Sequence, residues 1–161
     1  MRKTIFTLLI TAGLFACNQS TDNIQQLNNR IDSLEKKFDN TYKSGLGEFM
    51  LNIQMHHAKL WFAGQAENWK LADFQIQEII EALEDIQKYE TKRTESQSIP
   101  MIKPALDSVT NAIQQKNPQL FKSSFVLLTN TCNNCHKATH HEFNVITIPT
   151  APPFTNQTFK N

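Results

Sequence analysis

Between residues 46 and 136 the apolar side chains return every three or four positions, and nowhere in that span do they alternate in twos. A chain patterned in this way buries stripes of helices and not faces of a sheet. Over residues 46–63 the stripe is Met50, Ile53, His57, Leu60 and Gly64, with Phe49, His56 and Trp61 at its margins. Gly64 suits the left-handed residue that closes a helix. Over residues 69–90, Trp69, Ala72, Ile76, Ile79, Leu83 and Ile86 point inward, and Asn68 offers an N-cap acceptor. Residues 91–97 are a polar link, and a third helix over residues 100–115 would bury Ile102, Leu106, Val109 and Ile113. Asn117-Pro118 opens a fourth, because proline at the first helical position gives up a donor that has no partner there. It runs through Leu120, Phe121, Phe125, Leu128, Cys132 and Cys135 towards His136. These features predict an all-α fold, a four-helix bundle over residues 46–141.

The flanks read differently. Over residues 21–42, Ile24, Leu27, Ile31, Leu34 and Phe38 recur at steps of three and four, the a/d seam of about two and a half heptads. Residues 17–45 are therefore expected to form a helical stalk, standing alone or pairing as a homodimer through residues 24–38. The glycines of Ser44-Gly45-Leu46-Gly47 end that pattern in a hinge. Beyond the helices, Val145-Ile146-Thr147-Ile148 is a short period-two run stopped by Pro149. The prolines hold residues 142–161 extended, either as a strap on the bundle or as a loose end.

At the front, Arg2 and Lys3 precede an apolar run that stops at Cys17 and gives way to polar residues, the layout of a signal peptide. The run is far short of the roughly 20 residues that span a bilayer. Leu14-Phe15-Ala16-Cys17 resembles a bacterial lipobox, which implies removal of residues 1–16 and a lipid on Cys17; an ordinary signal cut nearby would leave Cys17 a free thiol. Either reading places the chain in the bacterial cell envelope facing the periplasm, and the first anchors it to a membrane. The formal net charge of +1 comes with no basic stripe, so nucleic acid is not an expected partner.

Cys132-Asn133-Asn134-Cys135-His136 is the motif that carries chemistry. Two thiols one helical turn apart can each add to a vinyl group of a haem, and the adjacent histidine can reach its iron. A thioredoxin-like pair would need a βαβ setting, and a structural zinc site would need two more ligands, for which His140 and His141 are at hand. The haem reading accounts for all three cysteines, Cys17 for the lipid and Cys132 and Cys135 for the thioethers, and gives one covalent haem c per chain.

Helices ending in this motif resemble the class II c-type cytochromes, the cytochrome c-prime group, over about residues 46–140. The resemblance carries over Cys132, Cys135 and His136 alone, implies that His136 is the proximal iron ligand, and implies an apolar pocket, often empty, on the opposite side. The stalk, the long tail and the histidines of the first helix depart from that pattern. His57 and Met50 on the inward stripe are candidates for the opposite ligand, with His56 and Met55 towards its edges, or the position is open. Lys59, Arg93 and Lys137 could pair with haem carboxylates, and Trp61 and Trp69 could pack on the macrocycle or simply in the core. With no catalytic triad, paired carboxylates or phosphate loop, an enzyme is not indicated. The expected function is that of a membrane-tethered monohaem cytochrome exchanging single electrons with a redox partner protein of the envelope. The alternatives are a haem protein binding NO or CO at an open distal site, and a haem-free envelope lipoprotein acting as a scaffold through its stalk.

Overall fold

The computed structural model describes residues 18–39 and 45–160. The expected signal segment, the expected lipid attachment at Cys17 and Ser44 of the expected hinge lie outside the described residues. The elements in chain order are α1 (Asn18–Asp39), α2 (Leu46–Gln65), α3 (Trp69–Tyr89), a 3-10 segment (Glu95–Ile102), α4 (Lys103–Gln114) and α5 (Pro118–Ala138). The fold is all-α, and no strand occurs among the described residues. No described helix is long and apolar enough to cross a membrane.

Helix α1 belongs to one compact unit and the remaining elements to a second. Along α1, Ile24, Leu27, Ile31, Leu34 and Phe38 are all exposed. In the second unit α2 packs along α3, α4 along α5, and the 3-10 segment against α3, α4 and α5. The shared core is built on Leu60, Ile76, Ile79, Ile86, Val109, Phe121, Phe125 and Leu128.

Three helix ends follow one design. Ala66, Gln115 and Thr139 are the C-caps of α2, α4 and α5, and each is followed by a residue with positive φ: Glu67 (55°), Lys116 (51°) and His140 (61°). In each case the next amide reaches back five residues: Asn68 N to Ala63 O at 2.9 Å, Asn117 N to Ala112 O at 3.1 Å and His141 N to His136 O at 2.7 Å. These are Schellman closures made without glycine. Asn68 and Asn117 then start the following helices. The Asn68 side chain accepts from Leu71 N at 3.2 Å, and that of Asn117 from Gln119 N at 3.1 Å and Leu120 N at 3.0 Å. A left-handed conformation costs an L-residue about 1–2 kcal/mol, part of which glycine returns as chain entropy on unfolding. Lys116→Gly should therefore raise stability by about 0.5 kcal/mol, read as a higher denaturant midpoint at unchanged slope.

Gly64 is not the closing residue that the sequence suggested. It lies inside α2, and a Cβ placed on it would run into the Phe121 ring. The glycine is there to admit that ring, so Gly64→Ala should destabilise by about 1–2 kcal/mol despite alanine's better helix propensity. Urea unfolding of the variant checks this, and adding Phe121→Leu should recover part of the loss.

The third helix also begins later than expected. Ser96, Ile99 and Ile102 are buried at steps of three, the period of a 3-10 helix, and Pro100 sits inside that segment and not at the start of an α-helix. Ser96 Oγ donates to Glu90 O at 2.7 Å, satisfying a carbonyl at the end of α3. After α5 the backbone is irregular. Ile148 packs against the core, and Phe159 is buried with its ring 5.7 Å from that of Phe62.

Candidate functional site

The capped start at Asn117 sets the phase of α5, and that phase decides what its far end presents. Phe121, Phe125 and Leu128 are buried at steps of four and three, and the same stripe continues to Cys132 and Cys135. Cys135 is buried, whereas Cys132 and His136 are half-buried. All three line a cavity of about 520 Å³, within the usual range for small-molecule sites. Met50, Ile53 and His57 of α2 form another wall, Ile79 and Leu83 of α3 and Ile102 extend it, and Arg93, His141, Asn144 and Ile146 complete it. Apolar surface predominates.

The structure thus brings Cys132, Cys135, His136, Met50 and His57 to one cavity. Apart from Arg93 and His141, the other candidates lie elsewhere. His56, expected at a margin, is buried between α2 and α3, its Nδ1 2.7 Å from Gln75 Oε1 and its Nε2 3.8 Å from Glu78 Oε2. Met55 lines a groove with Phe154, over whose ring the Lys59 ammonium sits at 5.1 Å. Trp61 and Trp69 are half-buried and pack against the core, with ring centroids 4.9 Å from Phe125 and 6.1 Å from Phe121 respectively. Lys137 and His140 are exposed. Arg93 is at the cavity, and its guanidinium lies 3.3 Å from Glu90 and 3.5 Å from Glu95. The sequence reading missed Thr129, Gln75 and the tail residues Asn144 and Ile146. Nothing in the apolar spacing marks them, although a histidine on an inward stripe does call for a polar partner nearby.

His57 finds that partner on α5. Its Nε2 lies 2.9 Å from Thr129 Oγ1, which itself donates to Phe125 O at 2.9 Å. Both bonds are satisfied when His57 Nε2 carries the proton, which leaves the lone pair on Nδ1. Burial pushes the His57 pKa down to about 4, so the ring is neutral at pH 7. The unfolded chain, with an ordinary pKa of 6.5, takes up this proton first as the medium acidifies. Stability of the haem-free chain should therefore be full above pH 6.5 and fall towards pH 4 by up to about 3 kcal/mol from this group. Urea titrations at a series of pH values would show the slope, and His57→Gln should flatten it.

The two thiols are shifted the other way. Burial, with a smaller contribution from the neighbouring Cys135, raises Cys132 to about 11, and burial raises Cys135. Both are protonated at neutral pH, the reverse of the electropositive setting that makes a CxxC pair redox-active. The zinc alternative lacks its ligand set, since no three His, Cys, Asp or Glu side chains gather around a point among the described residues. His141 Nδ1 instead donates to Thr139 O at 2.7 Å. A haem would bring four nitrogen ligands of its own and would ask only one or two further donors of the protein. His136 can supply one: Nδ1 donates to Asn144 O at 2.6 Å, which leaves the Nε2 lone pair free to coordinate. Side-chain chemistry and cavity together fit a covalently held haem.

The chain matches no family model, no curated protein and no solved structure.

Proposed function

We propose that the chain is a c-type cytochrome of the class II kind, a four-helix bundle with one covalent haem c, exchanging single electrons in the bacterial cell envelope. The observation that carries the reading is the convergence of Cys132, Cys135 and His136 on one largely apolar cavity faced from α2 by Met50 and His57. Bound there, a haem supplies a reversible one-electron couple. Cys132 and Cys135 would hold it by thioethers, and His136 would coordinate through Nε2. The apolar walls Ile53, Ile79, Leu83 and Leu128 would exclude water and so help set the potential. Arg93 at the cavity would offer a cation to the haem carboxylates, which would compete for it with Glu90 and Glu95. In the same reading residues 1–16 are a lipoprotein signal, Cys17 carries the lipid, and α1 is the stalk between membrane and cytochrome.

A second reading is favoured by the bond between His57 and Thr129. A ring held by its own core through Nε2 is not presented as a ligand by that nitrogen, and an open distal position would suit NO or CO. One purified sample separates the possibilities. After acid-acetone extraction, an alkaline pyridine spectrum of the protein should retain the haem signature; a colourless protein would overturn the reading and favour a scaffold working through the exposed seam of α1. Carbon monoxide added to the reduced protein should leave the Soret band unmoved if a side chain closes the distal side, and shift it promptly if the site is open.

A further inference from the structure

Asn133, the first residue between the two cysteines, commits its carboxamide in both directions to one residue of the tail. Its Nδ2 donates to Ile146 O at 2.9 Å, and its Oδ1 accepts from Ile146 N at 2.8 Å. The pair imitates a rung of a strand ladder and fixes the backbone two residues beyond Asn144. The carbonyl of Asn144 in turn accepts from His136 Nδ1 at 2.6 Å. The intervening loop is tied at its other end as well, by His141 N to His136 O at 2.7 Å and by Asn144 N to His141 O at 2.9 Å. The chain leaves His136 by its backbone, turns through His140 and returns to the His136 ring, where Asn133 locks it.

We infer that Asn133 is a positioning residue for His136. By clamping Ile146 it holds the Asn144 carbonyl on Nδ1, which fixes the ring's tautomer and orientation and enriches Nε2 as a donor. A backbone carbonyl on the far nitrogen of a coordinating histidine acts in this way, and its loss weakens the ligand. This explains why a tail without regular structure takes a defined path past the motif. The inference rests on the haem reading above, but its first readout needs no haem.

In the haem-free chain, proton exchange at His136 Nδ1, followed by NMR, should be about fivefold faster in Asn133→Ala, the factor that corresponds to a shielding bond of about 1 kcal/mol. In the haem-loaded protein the same variant should move the reduction potential upward, because a less electron-rich imidazole stabilises ferric iron less. Ile146→Pro, which keeps the motif intact but removes the amide donor to Asn133, should shift both readouts the same way. Phe159→Ala loosens the tail at a distant anchor and should leave both at wild-type values. Unchanged exchange and potential in Asn133→Ala, or equal shifts in Phe159→Ala, would overturn the inference by reducing the clamp to general tail packing. Failure of the wild type to hold haem would defeat the functional reading and still leave the exchange measurement to decide the role of Asn133.

Discussion

Cys132→Ala/Cys135→Ala, produced in a cell that matures c-type cytochromes, is expected to fold and yet release all of its haem into acid acetone. Neither thiol holds the helices together: both are free, and only Cys135 is fully part of the core. Losing its sulfur should cost about 1 kcal/mol, on the scale of a small buried apolar group, so the circular dichroism of the variant should remain helical. His136 and the apolar walls stay in place, so any haem the variant picks up would sit there by coordination and contact alone. Each single variant keeps one thiol and should retain haem by one thioether, visible as a displaced α-band in the pyridine spectrum. A double variant that keeps haem through extraction would show that attachment occurs elsewhere.

Phe121→Ala is expected to remove a large share of the stability of the second unit. The ring is fully buried and packs among Trp61, Trp69 and Phe125 at centroid distances of 6.4, 6.1 and 5.9 Å, with Gly64 leaving room for it. Truncating such a residue leaves a cavity that backbone on both sides cannot close, a loss of about 3–5 kcal/mol. Against a domain stability of about 5–15 kcal/mol, that lowers the melting temperature by about 10–25 °C. The cluster also joins the candidate site to the core: Phe125 lies 4.4 Å from the His57 ring and one helical turn from Thr129. Thermal melts would measure the loss, and an unchanged melting temperature would show that the ring is not the keystone the packing indicates.

What the sequence made legible follows from what its spacing encodes. The buried stripes of α3, α4 and α5 stand in the apolar period, and both Asn caps stand in the residues themselves. The 3-10 segment was also written there, as Ser96, Ile99 and Ile102 at steps of three, but a three-residue step can equally open an α-helix. Gly64 could not be resolved locally, since a glycine near a helix end serves either the turn or a close neighbour, and the neighbour is Phe121 on another helix. The two histidines of α2 show a further limit. They are adjacent, so they face directions about 100° apart. Because α2 lies against both α3 and α5, His56 meets Gln75 on one and His57 meets Thr129 on the other. A single-stripe reading had to put one of them at the edge. At the site, Cys132, Cys135 and His136 were readable as a motif, whereas the Asn133 to Ile146 clamp depends on where an irregular tail lies, which no periodicity records.

Covalent haem at residues 132 and 135 can be read from the intact mass of the chain expressed with cytochrome maturation machinery. The expected product is heavier than its polypeptide by one haem, with neither of those two sulfurs open to alkylation after denaturation. A product at the polypeptide mass, with both sulfurs alkylated, would contradict it.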